Sequence, residues 1–330
     1  NIGDLDGDGV NDLAVGAPFG EASNCTSNCG EVHIMFMNAD GSVKSTVEIN
    51  SETSGLEHLG NGMWFGWSAE NIGDLDGNGK DDLAVGAILD PTGGGSQRGA
   101  VNIMFMNDDG SGSVDSVVKI DSTTTNGPTL NSGDRFGYAI ANIGDLDGNG
   151  ENDLAVGAAY DDGSGDGAIN RGAVHIIFMN SNGSGSVDST VEINGSTTNG
   201  PDLDNNEYFG RSVENIGDLD GDGVNDLAVG AGTVNSSAAK GSIYIMFMNA
   251  DGSVKSTVEI DSTTANGPTL NSGDLFGSAI ENLGDLNADG VNDLAVGAAP
   301  IASRPTPNGG VVHIMFMNAE SSVKSTVEID

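Results

Sequence analysis

Acidic side chains recur at every second position in a short loop near the start of the chain. In the segment GDLDGDGVNDLAVGAP, Asp4, Asp6, Asp8 and Asp12 occupy positions 1, 3, 5 and 9 of the loop, and Val10 offers a backbone carbonyl at position 7. Carboxylates at about 4 Å repel one another by roughly 4 kcal/mol per pair at an effective dielectric constant of about 20. The spacing therefore predicts a cation between them.

Alternating oxygen donors of this kind are typical of calcium loops. Ca²⁺ takes six to eight hard oxygen ligands at about 2.3–2.6 Å, whereas Mg²⁺ demands a tighter octahedron and usually keeps several waters. Gly9 permits the sharp turn that such a loop needs. An acidic turn without a metal is the alternative for a single loop, but in-phase repetition along the chain counts against it.

Four further loops repeat the pattern, so the sequence predicts up to five bound Ca²⁺ ions. The predicted ligands are Asp4, Asp6, Asp8, Val10, Asp12, Asp74, Asp76, Asn78, Lys80, Asp82, Asp145, Asp147, Asn149, Glu151, Asp153, Asp218, Asp220, Asp222, Val224, Asp226, Asp285, Asn287, Asp289, Val291 and Asp293. Residues at position 7 would contribute their backbone carbonyls. The fifth loop has an asparagine at position 3 and Ala288 in place of a glycine, so we expect it to bind its ion more weakly.

The loops mark an internal repeat of about 70 residues, which is the signature of a repeat architecture. Their first aspartates are separated by 70, 71, 73 and 67 residues. We therefore predict a single domain, 1–330, made of five repeats. Their approximate bounds are 1–50, 51–121, 122–194, 195–261 and 262–330.

Each repeat contains four β-type segments and no helical periodicity. In the last repeat these segments are 275–286, 292–299, 310–318 and 322–329. Strands such as VHIMFM are apolar on both faces, which favours a sheet covered on both sides. The sequence thus predicts an all-β propeller of four-stranded antiparallel blades, with a β-solenoid as the alternative.

The dipeptide Phe-Gly opens the first strand of four repeats only. It begins at Phe65, Phe136, Phe209 and Phe276, whereas there are five acidic loops. We therefore expect the first repeat to lack its first strand.

Phe-Gly, the acidic loop and the following LAVGAP segment resemble the FG-GAP repeat of integrin α-subunit propellers and of prokaryotic surface proteins. The resemblance implies a propeller with calcium loops on one rim, located outside the cell or on its surface, and used in adhesion or ligand binding. Integrin propellers have more blades than this chain has loops. Their ligand-binding residues match no position here, so none is assigned.

Composition narrows the range of partners and compartments. Acidic residues outnumber basic ones 49 to 11, for a net charge of −38, which excludes a nucleic-acid partner. There is no long apolar run, so we expect a mature or excised soluble piece without direct membrane insertion. Cys25 and Cys29 lie in a loop without other metal-binding residues, which favours a disulfide in an oxidising compartment over two free thiols.

Histidine and tryptophan are the other residue types here that could take part in binding or catalysis. His33, His175 and His313 occupy the same place on the third strand of different repeats, which indicates packing between blades. Trp64 and Trp67 flank one Phe-Gly, and packing is favoured over a sugar-stacking platform. An active site needs distinct residues converging on one point. Because near-identical repeats supply the same residues at each blade, we expect a protein that is not an enzyme.

The sequence therefore predicts an extracellular, calcium-stabilised adhesion or ligand-binding module. Its partner would be a protein or glycan at a cell surface. The alternatives are a structural subunit that adds strands to copies of itself, and a multivalent lectin. Connections between the second and third strands vary most among the repeats, so we place the ligand site on that rim.

Overall fold

The computed structural model describes residues 1–92, 95–163, 169–232, 240–299 and 310–329, and all regular structure in these ranges is β. The strands are β1 (Leu13–Ala17), β2 (Glu31–Met37), β3 (Val43–Ile49), β4 (Phe65–Gly73), β5 (Asp82–Ala87), β6 (Ala100–Met106), β7 (Val114–Ile120), β8 (Phe136–Gly144), β9 (Asp153–Ala158), β10 (Ala173–Met179), β11 (Val187–Ile193), β12 (Ser212–Gly217), β13 (Asp226–Ala231), β14 (Ser242–Met248), β15 (Val254–Ile260), β16 (Phe276–Asn282), β17 (Leu294–Ala298), β18 (Val311–Met317) and β19 (Val323–Ile329).

The strands form five sheets, one for each repeat. The first sheet has three strands in the order β1-β2-β3, and the other four have four strands each, joined in sequence order. Pairing is antiparallel wherever the register is defined, as in β4 with β5 and β5 with β6. The predicted fold class, an all-β propeller type with a three-stranded first blade, is confirmed.

One Phe-Gly dipeptide differs from the expectation that it opens a strand. Phe65, Phe136 and Phe276 are the first residues of their strands, but β12 begins only at Ser212. The amides of Gly210 and Arg211 both donate to the Gly230 carbonyl, so regular pairing starts after them.

The chain divides into two compact units. The first comprises Asn1–Val156 and Ile177–Thr190, and the second comprises Gly157–Ile176 and Val191–Asp330. Buried side chains of the first two blades form one core in unit 1, including Ile34, Phe65 and Met104. Unit 2 has a core of the same type between its fourth and fifth blades, including Ile245, Phe276 and Met315.

Successive blades approach through glycines of the repeat motif. A Cβ on Gly86 would lie 2.2 Å from the carbonyl oxygen of Gly137 in the next blade, closer than atoms can pack. The preceding Phe136 makes a parallel bridge to Gly99, and its amide donates to the Arg98 carbonyl. Glycine at both positions therefore allows the backbones of neighbouring blades to touch. The same glycine contact recurs in the pairs Gly16–Gly66, Gly157–Gly210 and Gly230–Gly277.

The histidines on the third strands lie at different depths. His175 is fully buried and His313 is nearly so, its ring 5.4 Å from that of Phe276. Burial lowers the pKa of His175 to about 4, so it is neutral at physiological pH. His33 is less buried, and its Nε2 lies 3.2 Å from Glu31 Oε1. These contacts fit packing roles for His175 and His313.

The loop between β1 and β2 carries both cysteines. Their sulfurs are bonded to each other, and their Cα atoms are 6.2 Å apart. No helix long and apolar enough to cross a membrane occurs among the described residues.

Candidate metal centres

Each acidic loop precedes the second strand of its blade, except in the three-stranded first blade, where it precedes β1. In the second blade the loop follows β4, which ends at Gly73, and leads into β5, whose first residue is Asp82. The loop therefore sits at one end of the blade, while the connection from the second to the third strand lies at the opposite end. This geometry follows from the antiparallel order of the strands.

The backbone of each loop coils around the carboxylate at position 1. Asp4 Oδ1 accepts the amides of Gly7 and Asp8 at 2.8 and 3.0 Å, and its Oδ2 accepts the amide of Gly9 at 2.7 Å. Asp218 makes the same three contacts in the fourth blade. These contacts hold the loop backbone close to the carboxylate at position 1.

The carboxylate at position 9 is buried and fastens the loop to the sheet. Asp82 Oδ2 accepts the Leu75 amide at 2.9 Å, and its Oδ1 accepts the Met106 amide at the end of the third strand, also at 2.9 Å. All five loops have this pair of contacts. The equivalent residues are Asp12, Asp153, Asp226 and Asp293.

Burial changes the acidity of these position-9 carboxyls. It raises the pKa of Asp82, Asp153 and Asp226 to about 6 in each case, and the nearby aspartate at position 3 contributes to the shift. Without a bound cation, the cost of keeping these groups ionised therefore falls on the folded state.

Within the described residues, four loops bring three carboxylates together, with oxygen atoms within 4.8 Å of one another. The groups are Asp4, Asp6 and Asp8; Asp74, Asp76 and Asp82; Asp145, Asp147 and Asp153; and Asp218, Asp220 and Asp226. The position-7 residues donate their amides to the position-5 side chains, for example Lys80 to Asn78 Oδ1 at 2.8 Å.

In the part of the chain that the structure describes, the fifth loop does not form such a carboxylate group. Asn287 replaces the acid at position 3, and its Nδ2 lies 3.4 Å from Asp293 Oδ2. Ala288 adopts a φ of 60°, in the left-handed region that favours glycine. Both features agree with the expectation of weaker binding, which stays a prediction.

In two of these loops a lysine ammonium group lies against aspartate Oδ2 atoms, so these oxygens can accept a positive charge. Lys44 Nζ lies 2.6 Å from Asp6 Oδ2 and 2.9 Å from Asp8 Oδ2. Lys255 makes the equivalent contacts with Asp220 and Asp222 at 2.5 and 2.7 Å. The donor set of clustered carboxylate, amide and carbonyl oxygens suits a hard divalent cation.

A row of four aromatic rings lies in unit 1, away from the acidic loops. The rings of Trp64 and Trp67 are stacked with centroids 5.5 Å apart, Phe19 packs edge-on to Trp64 at 5.1 Å, and Tyr138 lies 5.2 Å from Trp67. Phe19, on the β1–β2 connection, is 58% exposed.

Sequence reasoning singled out the two tryptophans but missed Phe19 and Tyr138. The signal for Tyr138 was its place directly after Phe-Gly, which Trp67 also occupies in its own repeat. Phe19 lies in the connection between the second and third strands, whose sequence varies among the repeats, so the repeat pattern alone did not point to it.

Together these features define a propeller-type protein with an acidic, cation-suited loop in each blade. Residues 2–24 and 209–246 match the family model described as FG-GAP repeat, so the chain contains FG-GAP repeats. It is also similar to integrin alpha chains.

Three integrin alpha chains illustrate the similarity. Integrin alpha-PS5 of Drosophila melanogaster is 33% identical over 170 residues, which is 52% of this chain and 15% of the relative. Integrin alpha pat-2 of Caenorhabditis elegans is 29% identical over 235 residues, covering 69% of this chain and 17% of the relative. Integrin alpha-5 of Xenopus laevis is 36% identical over 160 residues, covering 47% of this chain and 14% of the relative. The matched part thus spans less than a fifth of these relatives.

Proposed function

We propose that this chain is a non-enzymatic binding module, located outside the cell or on its surface, whose blades are stabilised by Ca²⁺. Its partner is a protein or glycan at a cell surface. Similarity to integrin alpha chains supports the adhesion class, and the bonded cysteine pair supports an oxidising compartment.

The observation that carries the calcium assignment is the convergence of three carboxylates in each of four loops. Position-1 and position-9 side chains are held by backbone amides, so the loop is organised before an ion arrives. Each ion would then bridge the loop and the start of the second strand. Because only the folded loop binds the ion, the free energy of Ca²⁺ binding adds to the free energy of unfolding.

The aromatic row supports a ligand site on the rim formed by the connections between second and third strands. Phe19 belongs to such a connection, and Trp64 and Trp67 lie close to it in the next repeat. Exposed aromatic surface is typical of binding sites for proteins and for sugars. The stacked tryptophan pair specifically favours the second candidate, a lectin.

The calcium part of the proposal is tested by thermal melting and sedimentation velocity in millimolar Ca²⁺ and again in excess EGTA. We expect a compact monomer in calcium and a melting temperature at least about 10 °C lower in EGTA, since about 1 kcal/mol corresponds to several degrees for a domain. Indifference to EGTA would contradict the metal assignment. Calcium-dependent polymers would favour the structural-subunit alternative.

The ligand part is tested by adhesion of cells to immobilised protein, with and without prior removal of cell-surface glycans. Trp67→Ala should reduce adhesion at least about tenfold, because central aromatic anchors contribute 2 kcal/mol or more, as a rough figure. Ile169→Ala is the matched control, since Ile169 is exposed on a different connection between second and third strands. Loss of adhesion after glycan removal would identify a lectin, and equal adhesion by both variants would exclude the aromatic row as the ligand site.

A further inference from the structure

The five acidic loops fall into two classes. The classes differ both at position 5 of the loop and at the second residue of the last strand of the same blade. The first, fourth and fifth loops have aspartate at position 5, and their blades have a lysine as second residue of the last strand. The second and third loops have asparagine at position 5, and their blades have an aspartate at the same strand position. The paired residues are Asp8 with Lys44, Asp222 with Lys255, Asp289 with Lys324, Asn78 with Asp115, and Asn149 with Asp188.

The structure gives this pairing a physical basis. Val43 pairs with Met37, and Lys44 follows it at a register shift in the last strand pair. From there its ammonium reaches both Asp6 and Asp8, which are 38 and 36 residues distant in sequence. Lys324 Nζ reaches Asp289 Oδ2 at 2.8 Å in the fifth blade.

The lysines bind the carboxylate oxygens that the loop backbone leaves open. Asp6 Oδ1 accepts the Asp8 amide at 3.2 Å, and Asp8 Oδ1 accepts the Val10 amide at 2.9 Å. The Oδ2 atoms of both aspartates are the ones that contact Lys44. A divalent ion at this loop needs the same open oxygens.

In the loops with asparagine, an amide takes the place of the ion pair. Asn78 Nδ2 donates to Asp76 Oδ2 at 3.3 Å and to the Met106 carbonyl at 2.8 Å. Asn149 repeats both contacts with Asp147 and Met179. No lysine occurs at the strand position in these two blades.

We propose that Lys44, Lys255 and Lys324 are tethered competitors of the metal ion, an inference that rests on the proposed calcium binding. Each ammonium holds the open carboxylate oxygens when the ion is absent and swings into water when the ion binds. The side chains of Lys44 and Lys324 are 43% and 51% exposed. Moving the ammonium group from the loop into water therefore exposes little buried surface and costs little free energy. The lysines screen the repulsion between carboxylates in the ion-free protein and lower its affinity for calcium at these three loops.

The test compares the triple variant Lys44→Met, Lys255→Met and Lys324→Met with the wild type by calorimetric calcium titration at fixed ionic strength. Two controls accompany it. The first control has arginine at the same three positions and so retains the ion pairs. The second, Lys240→Met, removes a lysine whose Nζ contacts Ser262 and not a residue of an acidic loop. Thermal melting in EGTA is measured for every variant.

Removal of the competitors should tighten calcium binding at three of the five loops by about two- to fivefold each, the usual worth of an exposed ion pair. The same variant should melt at a lower temperature in EGTA and at an unchanged temperature in saturating calcium. Both controls should bind calcium like the wild type. Unchanged or weaker calcium binding by the methionine variant would overturn the role of the lysines. A wild type that binds no calcium would instead overturn the proposed function.

Discussion

At the scale of single residues, the position-9 carboxylate is both a proposed metal ligand and a structural fastener. Asp82 is fully buried and accepts one amide from its own loop and one from the end of β6. An asparagine there would turn an amide N–H₂ group toward one of these donors. Leaving a buried hydrogen-bonding group without a partner costs about 1–3 kcal/mol.

We therefore expect Asp82→Asn to lower the free energy of unfolding by about 1–3 kcal/mol even in EGTA. Chemical denaturation followed by tryptophan fluorescence measures it. Asp108→Asn, at an exposed residue of the β6–β7 turn, removes the same charge and should change stability by less than about 0.5 kcal/mol. Equal effects of the two variants would show that charge alone, and not the fastening contacts, matters.

The raised pKa values of about 6 at Asp82, Asp153 and Asp226 predict a distinctive pH dependence. These folded-state values exceed the unfolded pKa of about 3.9, so the folded protein binds protons more tightly between these limits. In EGTA, the free energy of unfolding should therefore rise as the pH is lowered from about 6.5 to about 4.5.

Saturating calcium should flatten this trend, because the ion competes with protons for the same carboxylates. Below about pH 4 stability should fall, since the Lys44 contact lowers the pKa of Asp8 and that ion pair is lost on protonation. Urea denaturation across this pH range, with calcium and with EGTA, measures both parts. A monotonic loss of stability from pH 6.5 downward in EGTA would contradict the assignment.

At the scale of elements, the glycines of the repeat motif determine how closely blades pack. Gly86 does not have a positive φ, so the obstacle to a side chain there is space: a Cβ would lie 2.2 Å from the carbonyl oxygen of Gly137 and 2.4 Å from Ser68 Oγ. Relief requires the two blades to separate. Overpacking of this kind typically costs about 1–3 kcal/mol.

Gly86→Ala should accordingly lower the free energy of unfolding by about 1–3 kcal/mol, measured by chemical denaturation. Gly60→Ala is the matched control, because its nearest neighbour, the Met63 methyl, lies at an ordinary contact distance of 3.6 Å. A tolerated alanine at position 86 would mean that neighbouring blades adjust freely to one another.

The loops and strands that recur in every repeat were predictable from the sequence. Contacts between residues of different repeats were not. Regular spacing of loops such as the one from Asp74 to Asp82 indicated the blades, and the absence of one Phe-Gly indicated the three-stranded first blade. The aromatic row joins Phe19 and Tyr138 from different repeats, so no single repeat reveals it.

The lysine contacts were hidden for a similar reason. Lys44 and its partner Asp8 lie at opposite ends of one repeat, and only strand pairing brings them together. The two positions change together from one repeat to the next, from aspartate and lysine to asparagine and aspartate. This is visible in the sequence once the fold shows that the two positions are in contact.

At the scale of the whole molecule, the excess of acidic residues opposes folding. The net charge of −38 is spread over 330 residues, and only 11 lysines and arginines offset 49 acids. Self-repulsion of this size destabilises a compact state, and salt screens it over a distance of about 10 Å at 0.1 M. Salt also weakens exposed ion pairs such as Lys44 with Asp6, but exposed pairs of this kind contribute little to stability.

Repulsion should therefore dominate, and the melting temperature in EGTA should rise as monovalent salt increases from about 0.02 to about 0.3 M. Tetramethylammonium chloride is the control for screening without inner-sphere binding, because the cation is too bulky to enter the loops. It should give the same rise as sodium chloride. In saturating calcium the rise should be smaller, since ions in five loops remove up to ten negative charges, at about two per ion. A melting temperature that falls with salt would show that the lysine ion pairs, rather than the overall charge, control the stability of the ion-free protein.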